Sequence, residues 1–298
     1  MKSKSAGTLL ILLAGVFWGS MGLFVRRLQQ LGLTPVQITA ARLRLAGLIF
    51  CLILLLREPK DFRLRWKDLP LFLGLGLGSV LFLTVCYFTA ISLMPLSTAA
   101  ILLYTSPIWV MLLSVLLFHE KLNGRKLIAL ALAFGGCVLI SGLGGEPLTF
   151  RALLIGLGAG FGYGLYSILG AMALRRYEPL TVTTYALLLS GLGSCFLASP
   201  LQIRSQLAAA GSGYPLPLLV LTALITAVVP YLCYTLGLRS VEPSRAAILA
   251  TVEPLVATLF GVLVFHEPLG LSAALGIALI LAAVVLLSRS PSAPEGQS

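Results

Sequence analysis

Apolar runs of about 20 residues recur along the chain, separated by short polar breaks, and each is long enough as a helix to cross a hydrocarbon core about 30 Å thick. Ten such segments are read at roughly 6–28, 35–56, 69–93, 96–118, 124–143, 152–174, 180–200, 216–238, 244–265 and 271–288. Most connections are short; the longer ones are 57–68, rich in charge, and 201–215, with Gly, Ser and Pro. The pattern predicts an all-α integral membrane protein of ten transmembrane helices.

Composition agrees. The 298 residues are 58% hydrophobic and 10% charged, with a mean hydropathy of +1.02, which leaves too little polar surface for a soluble domain. The net charge of +11 does not point to nucleic acid, because the basic residues fall mostly between apolar segments and form no face with interleaved aromatics. They set topology instead. With the N-terminus inside, Lys2, Lys4, Arg57, Lys60, Arg63, Arg65, Lys67, Lys121, Arg125, Lys126, Arg175, Arg176, Arg239, Arg245 and Arg289 lie on the cytoplasmic side. Arg26, Arg27, Arg151 and Arg204 lie opposite, so both termini are expected to be cytoplasmic. Lys2 and Lys4 before an apolar stretch resemble a signal peptide, yet no A-x-A site follows, and the run reads as a retained first helix. The five cysteines, Cys51, Cys86, Cys137, Cys195 and Cys233, all fall in apolar segments without a CxxC pair, so neither a disulfide frame nor a metal site is expected.

The chain repeats itself. AAILLYTSPIWVMLLSVLLFHEKL, residues 99–122, aligns without a gap to AAILATVEPLVATLFGVLVFHEPL, residues 246–269, at an offset of 147. Tyr87 and Tyr234 keep that offset, as do Ser141 and Ser288. Pro35 corresponds to Pro179 and Gly47 to Gly191; Gly15, Trp18 and Gly19 are paired with Gly158, Phe161 and Gly162. Two units follow, 1–145 and 146–298, each of five helices. Five is odd, so the second unit should enter the membrane from the opposite face, an architecture that secondary transporters use to open a central site alternately to each side.

The Trp18-Gly19 pair, the PVQITAAR stretch ending at Arg42 and the AAIL…P…FHE block of each half together resemble the EamA-type family of the drug/metabolite transporter superfamily, over nearly the whole chain. The resemblance implies a carrier of small metabolites, often an exporter, in a bacterial inner membrane. It also implies a central cavity lined mainly by helices one, three, four, six, eight and nine. It names no substrate.

Glu253 is the most pointed candidate. It lies about nine residues into the ninth span, roughly 13 Å deep, where a charge against lipid costs about 2.5–3.5 kcal/mol. It should face the bundle interior, as a protonation site, as a ligand for an amino group, or as an interhelical lock. Its counterpart is Ser106, so the repeat itself does not demand a carboxylate. Pro107 and Pro254 are counterparts too, and each should kink its helix and free a carbonyl four residues back, at Leu103 and Ala250. Arg42 either meets an anionic group or ties helices together; Arg44, turned about 200° away, reads as a snorkelling or packing residue. Trp18, Tyr87, Tyr104, Tyr163, Tyr166 and Tyr234 are candidates for an aromatic cavity wall, or for packing, with Tyr104 near Ser106 the foremost. The pairs His119-Glu120 and His266-Glu267 lack the HExxH spacing; their glutamates are expected to complement the dipole of the next helix. The Gly-rich stretches 156–164 and 74–78 lie in apolar spans and read as close helix-packing surfaces, not nucleotide loops.

The sequence thus predicts a secondary transporter of a small amino acid-like, metabolite or drug-like molecule, with protons as a candidate coupling ion and no cofactor. A membrane-embedded enzyme is the alternative. Against it, Asp61 and Asp68 are the only aspartates, and no nucleophile–base spacing appears within the spans. A non-transporting receptor or assembly protein is a further alternative. Oligomeric state is not legible.

Overall fold

The computed structural model of the chain describes residues 2–57, 59–141, 149–209 and 215–288. Arg289 and the boundary between residues 145 and 146 lie outside the described residues. Ten helices are long and apolar enough to cross a membrane: Ser5–Gln30, Pro35–Arg57, Trp66–Leu93, Thr98–Phe118, Gly124–Ser141, Phe150–Ala173, Pro179–Phe196, Leu216–Leu238, Pro243–Phe265 and Leu271–Ser288. They are called α1 to α10 in that order. A short helix, Pro200–Ala209, lies between α7 and α8. No strand occurs among the described residues.

The helices pack as a set that maps onto itself when the halves are exchanged. The α1–α8 contact corresponds to α6–α3, α1–α9 to α6–α4, and α3–α7 to α8–α2, while α2–α7, α5–α10 and α4–α9 each pair a helix with its own counterpart. Small residues set these approaches, because without a side chain two backbones can touch. A Cβ on Gly136 would stand 2.7 Å from the Gly276 carbonyl, and one on Gly276 would stand 2.6 Å from that of Gly136. A Cβ on Gly47 would stand 2.8 Å from the Leu187 carbonyl, and one on Gly191 would stand 3.0 Å from that of Leu43.

The same contacts correct the pairing of α1 with α6. A Cβ on Gly15 would stand 3.2 Å from the Ala250 carbonyl, and one on Gly160 would stand 3.2 Å from that of Leu103. A Cβ on Gly19 would stand 2.6 Å from the Glu253 carbonyl, and one on Gly164 would stand 3.0 Å from that of Ser106. The true counterparts are therefore Gly15 and Gly160, Trp18 and Tyr163, Gly19 and Gly164, two residues on from the expected match. Phe161 packs on Trp109 instead, ring centroids 5.6 Å apart. The reason is the composition of α6. Glycine stands at every second position from 156 to 164, so sequence similarity is nearly indifferent to a shift of two. Gly156, Gly160 and Gly164 lie on α4, while Gly158 and Gly162 lie on α3.

Charge contacts sort the loops by end. Arg175 lies over the Phe118 ring. Arg176 binds Asp68 at 2.8 Å, and Lys126 binds Glu242 at 2.6 Å. The connections after α2, α4, α6 and α8 therefore share one end, here the basic end. α1 packs on α8 with Gly7 beside Gly237, where a Cβ on Gly7 would stand 3.2 Å from the Gly237 carbonyl, so α1 begins there as well. Arg26 binds Glu267 at 2.7 Å, joining the connections after α1 and α9 at the far end. α6, which follows α5 away from the basic end, begins at that far end.

α1 is interrupted at Ser20, and two further helices are broken near their middles. α4 is interrupted at Tyr104 and Thr105, and α9 at Ala250 and Thr251. Pro107 then occupies the first turn of the resuming helix, where its missing N–H costs nothing. The Ala250 carbonyl is not left free, because Glu253 N–H donates to it at 3.0 Å. α3 and α8 each contain a π-helical stretch, Gly74–Leu81 and Leu224–Val228. The second coincides, at the offset of 147, with the last five residues of the first.

His119 and His266 end α4 and α9 in the left-handed conformation, with φ of 53° and 54°. The glutamates that follow these turns make side-chain ion pairs. Glu120 takes Lys126 Nζ at 2.5 Å and also the Ser244 hydroxyl, and Glu267 takes Arg26. The first turn of α5 is capped instead by Asn123 Oδ1, which accepts from Lys126 N–H at 2.9 Å. Glu120 thus pairs with a lysine in the first turn of α5, and Glu267 with an arginine near the end of α1.

Candidate functional site

The two helix breaks face each other around a small cavity of about 10 Å³, room for about one water. Its wall is made by Tyr104, Ser106 and Val110 of α4, Tyr163, Gly164 and Ser167 of α6, Tyr234 of α8, and Ala247, Ala250 and Thr251 of α9. Four helices line it, fewer than the six the resemblance implied. α1 and α3 stay outside the wall because the bundle is closed tightly around it.

Glu253 resumes α9 just past the break, and its Oε2 accepts a hydrogen bond of 2.6 Å from the Tyr163 hydroxyl. The carboxylate therefore joins α9 to α6 beside the cavity. Trp18, on α1, is buried between them and α8. Its ring meets Tyr163 at 6.1 Å, Tyr231 at 5.4 Å and Tyr234 at 5.4 Å between centroids. Edge-on and tilted aromatic contacts of this kind are favourable and give the site a rigid, amphipathic wall. Tyr234 Oη shares a 2.8 Å hydrogen bond with Ser167 Oγ, and Tyr166 Oη shares one of 2.8 Å with Thr235 Oγ1.

Of the candidates from sequence, Tyr104, Ser106, Tyr163 and Tyr234 line the cavity. Trp18 and Glu253 flank it. Tyr166 is one layer away, on Tyr231 and Thr235. Tyr87, the counterpart of Tyr234, packs on Phe88 and the Ala90–Ala152 patch and is not in the wall. Arg42 is buried, and its Nη1 donates to Met21 Sδ at 2.7 Å and to the Thr226 carbonyl and hydroxyl at 3.3 Å. Its Nε has no hydrogen-bond partner, and it makes no salt bridge among the described residues. Arg44 points elsewhere, donating to Ser194 Oγ at 3.1 Å, to the Ser194 carbonyl at 2.7 Å and to the Ala198 carbonyl.

Sequence reasoning missed Ser167, Thr251, Tyr231 and Thr226. Ser167 was within reach, since it stands four residues from Tyr163 and so shares its helix face. Thr226 occupies the π-helical stretch of α8, and its counterpart Ser79 occupies that of α3, donating to the Gly162 carbonyl at 2.8 Å. No cluster of His, Cys, Asp or Glu among the described residues has the arrangement to hold a metal.

The sequence profile of the EamA-like transporter family matches residues 5–142 and again residues 150–289. The chain belongs to the EamA-like transporter family. An uncharacterized transporter of Archaeoglobus fulgidus is 33% identical over 291 residues, covering 95% of this chain and 96% of that one. The uncharacterized transporter YojE of Bacillus subtilis is 29% identical over 287 residues, covering 92% and 91%. A solved crystal structure superposes with a TM-score of 0.80 at 19% identity, over 95% of this chain and 96% of its own, which speaks to the fold alone. With ten apolar helices and two EamA matches, the protein is an integral membrane protein of a transporter family. For an EamA-type protein the cavity between the two helix breaks is the natural place to look for a substrate site, since interrupted helices expose backbone groups at mid-membrane depth.

Proposed function

We propose that the protein is a secondary transporter whose two EamA units are inverted repeats, and that a small metabolite passes through the cavity beside Glu253 by alternating access. The observation that carries this reading is the meeting of the two helix breaks at the exchange axis, where Trp18 and its counterpart Tyr163 touch. In one half the break carries Ser106; in the other it carries Glu253, bonded to Tyr163. Symmetry supplies two equivalent ways to rearrange the bundle, and the single carboxylate makes the site chemically asymmetric.

The cavity is too small for a metabolite, so this conformation represents a closed stage, and binding requires α4 and α9 to part. Glu253 is the group that responds to cargo or proton. An amino group or a proton arriving at Oε2 competes with the Tyr163 hydroxyl, and loss of that bond releases α9 from α6. Arg42, buried with an unsatisfied Nε, is the group for a carboxylate or other anionic end of the substrate. The pair suits a molecule bearing both an amino and an acidic group, with the Trp18–Tyr163–Tyr231–Tyr234 wall receiving its apolar part. Export is the proposed direction, in a bacterial inner membrane with both termini cytoplasmic.

Proteoliposomes test this. Substrate-dependent flux of an amino acid-like or drug-like compound is expected, altered by an imposed proton gradient. Glu253→Gln should keep the fold and lose the pH dependence of the rate. An unchanged rate and pH profile would leave Glu253 as an interhelical lock, and absence of flux across a broad panel would sink the transporter reading.

A further inference from the structure

A second, larger pocket opens at the basic end, well separated from the central cavity. It has a volume of about 520 Å³ and is lined by Lys60, Arg63 and Arg65 from the α2–α3 connection, Arg175, Arg176 and Tyr177 after α6, and Arg239 at the end of α8. Leu174 of its wall is seven residues beyond Ser167 of the central cavity, about 10 Å along the helix, so the two are distinct.

Its electrostatics are one-sided. Six cationic side chains face the space, against Glu178 in the wall and Asp68 beside it; Glu58 and Asp61 belong to the same connection in sequence. Glu178 is taken by Arg239, whose Nη1 and Nη2 reach its two oxygens at 2.8 and 3.2 Å. Asp68 is taken by Arg176 at 2.8 Å and by the Tyr177 hydroxyl at 2.7 Å. Tyr177 in turn accepts from Arg65 N–H at 3.2 Å. Burial, and the Asp68 carboxylate beside it, push the Tyr177 phenol above its ordinary range, so it remains a donor. Lys60, Arg63 and Arg65 make no salt bridge among the described residues, and Arg175 rests on the Phe118 ring. Glu178 and Asp68 thus pin the frame of the pocket, and Lys60, Arg63 and Arg65 line it without a salt bridge among the described residues.

We propose that this pocket is a binding site for a phosphate-bearing anion. A phosphate offers several strong acceptor oxygens to arginine forks arriving from three directions, which a single carboxylate cannot match. The concave shape distinguishes the pocket from a dispersed topogenic charge, and basic pockets between membrane helices at this level favour headgroup recognition. Two sources share the chemistry: the headgroup of an anionic phospholipid, and a free phosphorylated metabolite. The proposal does not depend on transport, because binding is measured without flux.

The test uses the purified full chain in a zwitterionic detergent, titrated with short-chain phosphatidylglycerol, short-chain phosphatidylcholine and inorganic pyrophosphate, and read by thermal unfolding and calorimetry. Phosphatidylglycerol, pyrophosphate or both should stabilise the protein where phosphatidylcholine and sodium chloride of equal ionic strength do not. The double variant Arg63→Gln with Arg65→Gln breaks no ion pair among the described residues and should weaken that binding about tenfold or more. Arg204→Gln, outside the pocket, should leave it unchanged. Response to phosphatidylglycerol alone assigns the pocket to lipid, response to pyrophosphate alone to a soluble ligand, and response to both to phosphate from either source. No response to either probe, or equal weakening by Arg204→Gln, overturns the proposal.

Discussion

Tyr163 donates a 2.6 Å hydrogen bond to Glu253, joining the sixth helix to the resuming half of the ninth. No equivalent exists in the other half, because Trp18 stands where Tyr163 would and Ser106 where Glu253 would. The bond is thus a device of one half only. Tyr163→Phe removes its one side-chain donor among the described residues, and a partly buried carboxylate left without one costs about 1–3 kcal/mol. Thermal unfolding should register that loss, while Glu253→Gln with Tyr163→Phe should recover part of it. No coupling between the two changes would mean the bond contributes nothing.

Gly136 and Gly276 form the closest reciprocal approach of the two halves. A side chain at either position meets backbone, which cannot rotate away. Gly276→Val should lower the unfolding temperature markedly, at a cost of about 1–3 kcal/mol or more. Gly22→Val, where a Cβ meets nothing within 4 Å, should do far less. Equal effects would remove the packing argument.

Glu120 and Lys126 form a nearly inaccessible ion pair at the basic end, extended by Glu242 and Ser244. Lys126→Met strands the Glu120 carboxylate, a loss expected at about 3–5 kcal/mol. Glu120→Gln with Lys126→Met should restore most of it, since replacing both charges removes the unpaired one. Unfolding of the four proteins in this cycle measures the difference.

His119 and His266 hold positive φ, where a branched side chain clashes with its own backbone. His266→Gly should be neutral or mildly stabilising, and His266→Val should cost about 1–2 kcal/mol. A valine variant as stable as the glycine one would show that the turn is not maintained.

Ten helices, the duplication and the membrane class were all legible in the sequence, because they depend on local quantities: apolar length, the scarcity of charge and an ungapped match around two prolines. Glu253 was legible for the same reason, as a carboxylate inside a hydrocarbon-length run. The pairing of Trp18 was not. The alternate glycines of the sixth helix allow several registers, and only contact with the carbonyls of Leu103 and Ser106 selects one. The roles of Glu120 and Glu267 were not legible either, because side-chain ion pairs with Lys126 and Arg26 decide them. Arg42 and Glu253 could be named from sequence, but whether they meet could not. Tertiary packing gave them different partners, Tyr163 for Glu253 and Met21 with Thr226 for Arg42. It also gathered cations scattered over three connections into one pocket. Sequence sets what each segment can bury; the close approach of backbones decides which side chains share a space.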